Sequence, residues 1–169
     1  MKILLTFLPI GKVDSEIFDM LQDKLSYLSV KMSVLDGVSV PDKSYNGERN
    51  QYESKQFLSL IRKYPGDKAL GITDVDLYAE TLNFVFGQAE VGRKAAVISL
   101  HRLKGEREIY LKRIVKEATH EIGHTIGLNH CKKPKCVMHY SNCLEETDFK
   151  DEKFCEDCDK ELKQILMFA

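Results

Sequence analysis

The chain has 169 residues, 43% of them hydrophobic, with 25 basic and 26 acidic side chains. This length predicts one domain over residues 1–169, with enough apolar content for a core. Balanced charge argues against a nucleic-acid partner, and no apolar run reaches the roughly 20 residues of a membrane-spanning helix.

The N-terminal part predicts a strand, a helix and a second strand. Ile3–Ile10 is mainly apolar and no small-residue cleavage pattern follows it, so we expect a buried strand rather than a leader peptide. Asp14 or Ser15 is a suitable N-cap for the helix. Val30–Leu35 alternates apolar and polar residues, which indicates a strand. The apolar positions of the helix have helical spacing: Ile17, Phe18, Leu21, Leu25 and Leu28.

Strands predominate in the middle of the chain. A helix is predicted over about Gln51–Tyr64 and ends at Pro65-Gly66-Asp67. Ala69–Thr73, Phe84–Ala89 and Ala95–Leu100 are predicted as three strands. Alternation of strands and helices indicates an α/β sheet.

The C-terminal part begins with a long predicted helix, from about Glu106 to Ile126. Leu128–Phe154 shows no periodicity, and Glu156–Met167 is predicted as a closing helix. The buried stripe of the long helix is predicted to consist of Ile114, Val115, Ala118 and Ile122.

The long helix ends in the pattern His-Glu-x-x-His-x-x-Gly-x-x-His. His120 and His124 stand four residues apart and share one helix face, so both imidazoles can bind one zinc ion. Gly127 has no Cβ and can end the helix, which lets the chain bring His130 up as a third ligand. Three ligands leave one zinc position open, as in catalytic sites. Glu121 can then serve as general base toward water on that metal in peptide hydrolysis.

This pattern resembles the zinc signature of the metzincin metallopeptidases. The residues after His130, which are Cys131, then Cys136 and Met138, are similar to those of the archaemetzincins. The resemblance implies a single-domain metzincin-like fold with a twisted mixed sheet, helices and an active-site helix. Its upper part is expected over about residues 1–127. An irregular lower part, held together by a structural zinc ion and ending in a final helix, is expected over about residues 128–169. Further similar segments are Tyr45-Asn46, Arg49, Gln51-Tyr52, Gly71–Tyr78 and Asn83–Ala89.

The same resemblance implies roles for several other residues. Met138 would lie in a methionine turn beneath the zinc ligands, as support and not as a ligand. Phe84–Ala89 would be an edge strand that lines the cleft and pairs with an extended substrate, although its pattern alone fits an interior strand equally well. Tyr140 has a spacing similar to the Met-x-Tyr of astacins, whose tyrosine approaches the metal; a loop aromatic is the alternative. His101 and His139 are left outside the metal set.

Five cysteines lie between Cys131 and Cys158. An odd, clustered set does not match the disulfide framework of a secreted protein, so we expect a reducing, cytoplasmic setting. Cys131 and Cys136 form one pair, and Cys155 and Cys158 form a C-x-x-C pair; such spacings suit a closed structural zinc site. Two disulfides are the alternative. Cys143 is expected to be a free buried thiol.

Together these features predict a monomeric zinc metallopeptidase with two zinc ions per chain, one catalytic and one structural. Its expected partner is a peptide or protein substrate. Two other functions stay open: a zinc-containing peptide-binding module with little or no turnover, and a structural or nucleic-acid-interacting zinc protein. An intact Glu121 beside three histidines favours the enzyme.

Overall fold

A computed structural model describes residues 2–169; Met1, where the predicted domain begins, lies outside the described residues. No helix within residues 2–169 is long and apolar enough to cross a bilayer. In chain order the elements are β1 (Leu4–Ile10), α1 (Ser15–Lys24), β2 (Lys31–Val34), a 3-10 turn (Asp42–Ser44), β3 (Tyr45–Asn46), β4 (Gln51–Glu53), α2 (Ser54–Ile61), β5 (Lys68–Thr73), β6 (Leu77–Tyr78), β7 (Gly87–Ala89), β8 (Ala95–Ser99), α3 (Arg107–Ile126), α4 (Leu144–Phe149) and α5 (Glu156–Met167).

The larger of two sheets has the strand order β2-β1-β5-β8-β7. Its first four strands are parallel, and β7 pairs antiparallel with β8 at one edge. A smaller sheet has the order β3-β4-β6. The mixed α/β fold expected from the sequence is therefore confirmed.

Helices cover both faces of the larger sheet, so its inner strands are buried on both sides. In β8, Ala96 and Ile98 belong to one apolar core, and Ala95 and Val97 belong to the other. The first core includes residues of α1, α3 and α5, and the second includes α2. This explains why β8 is an apolar run rather than an alternating pattern.

Three element predictions were wrong in part. Gln51–Glu53 forms strand β4 rather than the first turn of a helix, because Tyr52 pairs with Leu77 of β6 in the smaller sheet. The strand expected over Phe84–Ala89 is limited to Gly87–Ala89. Helix α4 lies inside the segment that was expected to be irregular, and its contacts with α3 are mainly polar.

Helix α3 brings the histidine pattern into the centre of the molecule. Every residue from Ile114 to Ile126 is buried, because the sheet covers one side of the helix and the C-terminal segment covers another. Gly127 ends the helix with a φ of 133°, where a side chain would be strained. The amides of Gly127 and Leu128 both donate to the carbonyl of Gly123, which closes the last turn.

Candidate metal centre

Three histidine rings converge where helix α3 ends. His120 and His124 lie one turn apart on α3, and His130 returns to them after the turn at Gly127. The Nε2 atoms of His120 and His124 are 3.1 Å apart. The ring centroid of His130 lies 5.3 Å from that of His120 and 4.8 Å from that of His124. The fold thus gathers the three imidazoles at one point.

Two backbone carbonyls fix the orientation of the helical imidazoles. His120 Nδ1 donates to Val137 O at 2.8 Å, and His124 Nδ1 donates to Leu128 O at 2.7 Å. A carbonyl only accepts, so Nδ1 carries the proton of each neutral ring and Nε2 keeps its lone pair. The two lone pairs face each other, an arrangement that a shared cation stabilises. Nitrogens bound to a tetrahedral zinc ion are about 3.3 Å apart, so the observed spacing fits zinc.

Burial keeps these rings in the neutral form that binds metal. It lowers the pKa of His120 well below the ordinary value, and the nearby ammonium of Lys150 adds to the effect. Burial also lowers the pKa of His124 and of His130, which is the most exposed of the three. Neutral imidazoles at physiological pH suit zinc and other divalent transition metals.

Glu121 lies beside the histidines and is only 5% exposed. Burial raises its pKa well above the ordinary range, the neighbouring carboxylate of Glu117 adds to this, and Lys150 opposes it. The side chain packs against the edge strand at Gly87. A Cβ at that glycine would lie 2.8 Å from Glu121 Oε1, so the absence of a side chain there makes room for the carboxylate.

A cleft of about 210 Å³ opens beside His120 and Glu121. One wall is formed by residues 82–86, and the other by α3 and residues 140–142. A larger cavity of about 530 Å³, between the start of β1 and α5, contains none of the histidines. Because the smaller cleft adjoins the convergent polar groups, it is the better candidate for a substrate site.

Met138 is fully buried beneath the end of α3. A Cβ at Gly123, on the turn between His120 and His124, would lie 2.5 Å from the Met138 sulfur. The glycine therefore allows the thioether to pack directly against the helix. Tyr140 follows in the chain, lines the cleft, and has its ring centroid 5.2 Å from that of His130.

Strand β7 follows directly after the cleft-lining residues 82–86 and forms an edge of the larger sheet, within the segment Phe84–Ala89 that the resemblance assigned to an edge strand. Ser99 N donates to Phe86 O, and in an antiparallel pair the backbone groups of alternate residues face the partner strand. Gly87 and Ala89 therefore present their backbone N–H and C=O groups away from β8.

Four cysteines form a second cluster directly after His130. Their sulfur atoms lie within 4.8 Å of one another, and Cys131 Sγ is 3.9 Å from Cys155 Sγ. A disulfide needs about 2.05 Å, whereas two thiolates on a tetrahedral zinc ion are about 3.8 Å apart. The amides of Met138 and Cys155 donate to Cys136 Sγ at 3.4 and 3.3 Å. Burial raises the pKa of Cys136 and Cys158, so metal binding there would release protons.

Cys143 and His139 lie outside the groups of three histidines and four cysteines. The prediction of a buried Cys143 was wrong: it is partly exposed, because it precedes helix α4 at the surface, and its Sγ donates to Glu146 Oε1 at 3.7 Å. His139 Nδ1 donates to Cys131 O at 2.8 Å. That contact makes His139 a structural link between the histidine and cysteine groups.

Sequence reasoning missed a buried ion pair next to the histidines. Lys150 Nζ lies 3.5 Å from Glu117 Oε1, and the two side chains are 0% and 4% exposed. The position of Glu117, three residues before His120, was an available signal because it places both residues on one helix face. Lys150 lies in the segment without periodicity, and nothing in the sequence links it to α3.

Comparison with known proteins shows close relatives along nearly the whole chain. The model of peptidase family M54 matches residues 13–164. The archaemetzincin of Pyrococcus furiosus is 38% identical and covers 98% of this chain and 95% of its own length. That of Methanocaldococcus jannaschii is 40% identical, covering 92% and 90%.

Two crystal structures of archaemetzincins have the same fold. The structure from Methanopyrus kandleri superposes with a TM-score of 0.92 at 38% identity, over 98% of this chain and 96% of that one. The structure from Archaeoglobus fulgidus, complexed with malonate, gives a TM-score of 0.83 at 38% identity, over 93% and 99%.

Proposed function

Because the chain belongs to the archaemetzincin family of zinc metallopeptidases, peptidase family M54, we propose that His120, His124 and His130 hold its catalytic zinc ion. Glu121 is the general base. The observation that carries this proposal is the convergence of three imidazoles beside a buried carboxyl, with two Nε2 lone pairs directed at each other.

The reaction is hydrolysis of a peptide bond in a peptide substrate. A zinc ion in this site supplies Lewis acidity, which lowers the pKa of water and polarises the scissile carbonyl. Glu121 accepts a proton from the attacking water at its carboxylate oxygen and delivers it to the nitrogen of the leaving amine. A donor role for Tyr140 toward the carbonyl oxygen stays a prediction.

The substrate peptide binds along the edge strand and in the cleft. An extended peptide pairs with the outward backbone groups of Gly87 and Ala89 as an added strand. Its scissile bond then lies beside His120 and Glu121, and one neighbouring side chain enters the cleft of about 210 Å³.

The cysteine cluster holds a second, structural zinc ion. Cys131, Cys136, Cys155 and Cys158 leave no position open on a tetrahedral ion. The ion ties the residue after His130 to helix α5, and Met138 lies within the same tethered segment. Its role is to hold the third histidine and the methionine turn in place. Binding free energy at such a site contributes directly to folding.

Three wider features belong to the same proposal. Residues 1–169 act as one catalytic domain, divided into an upper part up to about residue 127 and a lower part from about residue 128. The protein acts as a monomer without a nucleic-acid or membrane partner. Its place is the cytoplasm, where free thiols persist; the separation of 3.9 Å between Cys131 Sγ and Cys155 Sγ supports that setting.

The experiment combines metal analysis with peptide cleavage. The purified chain should contain two zinc ions and should cleave members of a mixed peptide library. Glu121→Gln should retain both ions and lose cleavage by a factor of about 100 or more, because the proton transfer is removed. Glu108→Gln, at an exposed glutamate on the same helix, is the matched control and should cleave normally. Unchanged cleavage by Glu121→Gln would refute the assignment of the base, and one zinc ion per chain would refute one of the two sites.

A further inference from the structure

The cleft beside the histidines has a polar wall that peptide hydrolysis itself does not use. Glu117 lies one turn before Glu121 on α3, on the same helix face, and lines the cleft together with His120. Its side chain is 4% exposed. A carboxylate buried to this degree requires partners, and their positions show which of its atoms are left for a ligand.

The hydrogen bond that Glu117 accepts is made through one of its two oxygens. Oε1 accepts a hydrogen bond from the Thr147 hydroxyl at 3.1 Å and lies 3.5 Å from Lys150 Nζ. The second oxygen, Oε2, has no hydrogen-bond partner within residues 2–169. A buried carboxylate with one free oxygen on a cleft is an acceptor available to a ligand.

Lys150 cancels the charge of Glu117. Its side chain is fully buried, and Nζ also donates to His139 O at 3.1 Å. Lys150 lies behind Glu117 and does not line the cleft, and a metal ion held by the histidines would offset the charge of Glu121, which does line it. A cationic side chain would be repelled by that metal ion and by the nearby Lys150 charge, while an anionic one would be repelled by the carboxylates of Glu117 and Glu121. The charge balance disfavours both.

The wall formed by residues 82–86 is mostly apolar, with Asn83 as its one polar residue. Phe84 and Val85 in this wall would cover the carbon atoms of a side chain that reaches Glu117. Ser141 lines the same cleft, and its buried Oγ has no hydrogen-bond partner in the described part of the chain. Unpartnered polar atoms therefore occur at two places around one small space.

We infer that Glu117 is a specificity-determining residue, which selects an uncharged substrate side chain that ends in a hydrogen-bond donor. A carboxamide, as in glutamine or asparagine, fits best: its NH2 group donates to Glu117 Oε2 and its stem packs on Phe84 and Val85. This inference rests on the proposed peptidase function and names the substrate class of that same site.

The test compares peptides that differ in one side chain. Library cleavage first locates the scissile bond and the flanking position with the strongest selection. Matched peptides with glutamine, glutamate, lysine or leucine at that position then give kcat/KM for each. The wild-type enzyme should prefer glutamine over glutamate and lysine by about 10- to 100-fold, the range expected when a hydrogen bond to a charged group is lost.

Substitution of Glu117 should change this preference and not only the rate. In Glu117→Gln the Lys150 charge loses its partner, so the ratio of glutamine to glutamate peptide should fall at least about tenfold. Because an unpaired buried lysine can prevent folding, the second variant is Glu117→Gln with Lys150→Met. That pair removes both charges and should reduce the preference to within about threefold. Asp148→Asn is the matched control. It breaks the ion pair between Asp148 of α4 and Arg113 of α3, but Asp148 does not line the cleft.

The outcomes separate the inference from the function on which it rests. If the wild type cleaves peptides but the glutamine preference is absent, or if it persists in both Glu117 variants, Glu117 does not set specificity and the inference is wrong. If Asp148→Asn changes the preference as much as the Glu117 variants do, the effect is structural and the inference is equally wrong. No cleavage of any peptide by the zinc-loaded wild type would refute the proposed function itself.

Discussion

Replacement of Gly87 by alanine tests whether the edge strand holds the proposed base in position. The new Cβ would lie 2.7 Å from Val97 O and 2.8 Å from Glu121 Oε1, where ordinary contacts begin at 3.4 Å. Val97 O belongs to strand β8, which is hydrogen-bonded on both sides and cannot move away. The Glu121 carboxylate must therefore shift by roughly half an ångström or more.

This shift sets the expected size of the effect. Overpacking of one methyl group costs about 1–3 kcal/mol of unfolding free energy. Misplacement of a catalytic group by about 1 Å can lower the rate on the order of 100-fold. We therefore expect Gly87→Ala to retain both zinc ions and to lose kcat/KM by about 10- to 100-fold, mostly in kcat.

The assay is cleavage of a fluorogenic peptide, with zinc content and urea unfolding measured on the same samples. Gly47→Ala is the matched control, because its nearest contact would be an ordinary 3.7 Å. The reasoning would be refuted by a Gly87→Ala enzyme with wild-type kcat/KM, or by one that loses activity only because it loses zinc.

Three further outcomes can be measured on purified protein. Cys158→Ser should reduce the zinc content from two ions to one and lower the melting temperature, whereas Cys143→Ser should change neither; equal zinc content in both variants would contradict the cysteine site. Met138→Ala should cost about 2–5 kcal/mol of unfolding free energy, because the side chain is fully buried; a loss below about 1 kcal/mol in urea titration would show that the turn repacks. The lowered pKa of His120 and His124 means that the unfolded chain binds more protons than the folded one just below pH 6.5. Metal-free protein should therefore lose stability as pH falls through that value, by up to about 1.4 kcal/mol per unit per histidine. The pH dependence of the unfolding free energy is best measured in Glu121→Gln, because the raised pKa of Glu121 makes stability increase as pH falls. An unfolding free energy that does not change with pH in this variant would contradict the prediction.

The long helix and the grouping of the three histidines and of the four cysteines could be predicted because their signals are local. The spacing of His120 and His124 needs only the helical repeat, and Gly127 ends the helix through its own backbone freedom. The two cysteine pairs have spacings that few other structures require. In each case the residues on which the prediction depends are neighbours in the sequence and also form the local structure that was predicted.

The predictions failed where distant contacts decide the outcome. Gln51–Glu53 joins a sheet because Tyr52 pairs with Leu77, which no local pattern shows. Helix α4 has few buried apolar residues and is stabilised by polar contacts such as that between Arg113 and Asp148. The pairing of Glu117 with Lys150 is also polar and distant in sequence. Apolar periodicity carries no information on elements of this kind.

The order of the ligands along the chain has a consequence for the protein during its synthesis. His130 is followed at once by Cys131, but Cys155 comes 24 residues later. The helix with its two histidines therefore leaves the ribosome before Cys155 and Cys158, which complete the cysteine cluster after His130. If the proposed zinc ion at the cysteines holds His130 in place, the three histidines reach their final arrangement only after Cys158 has been synthesised.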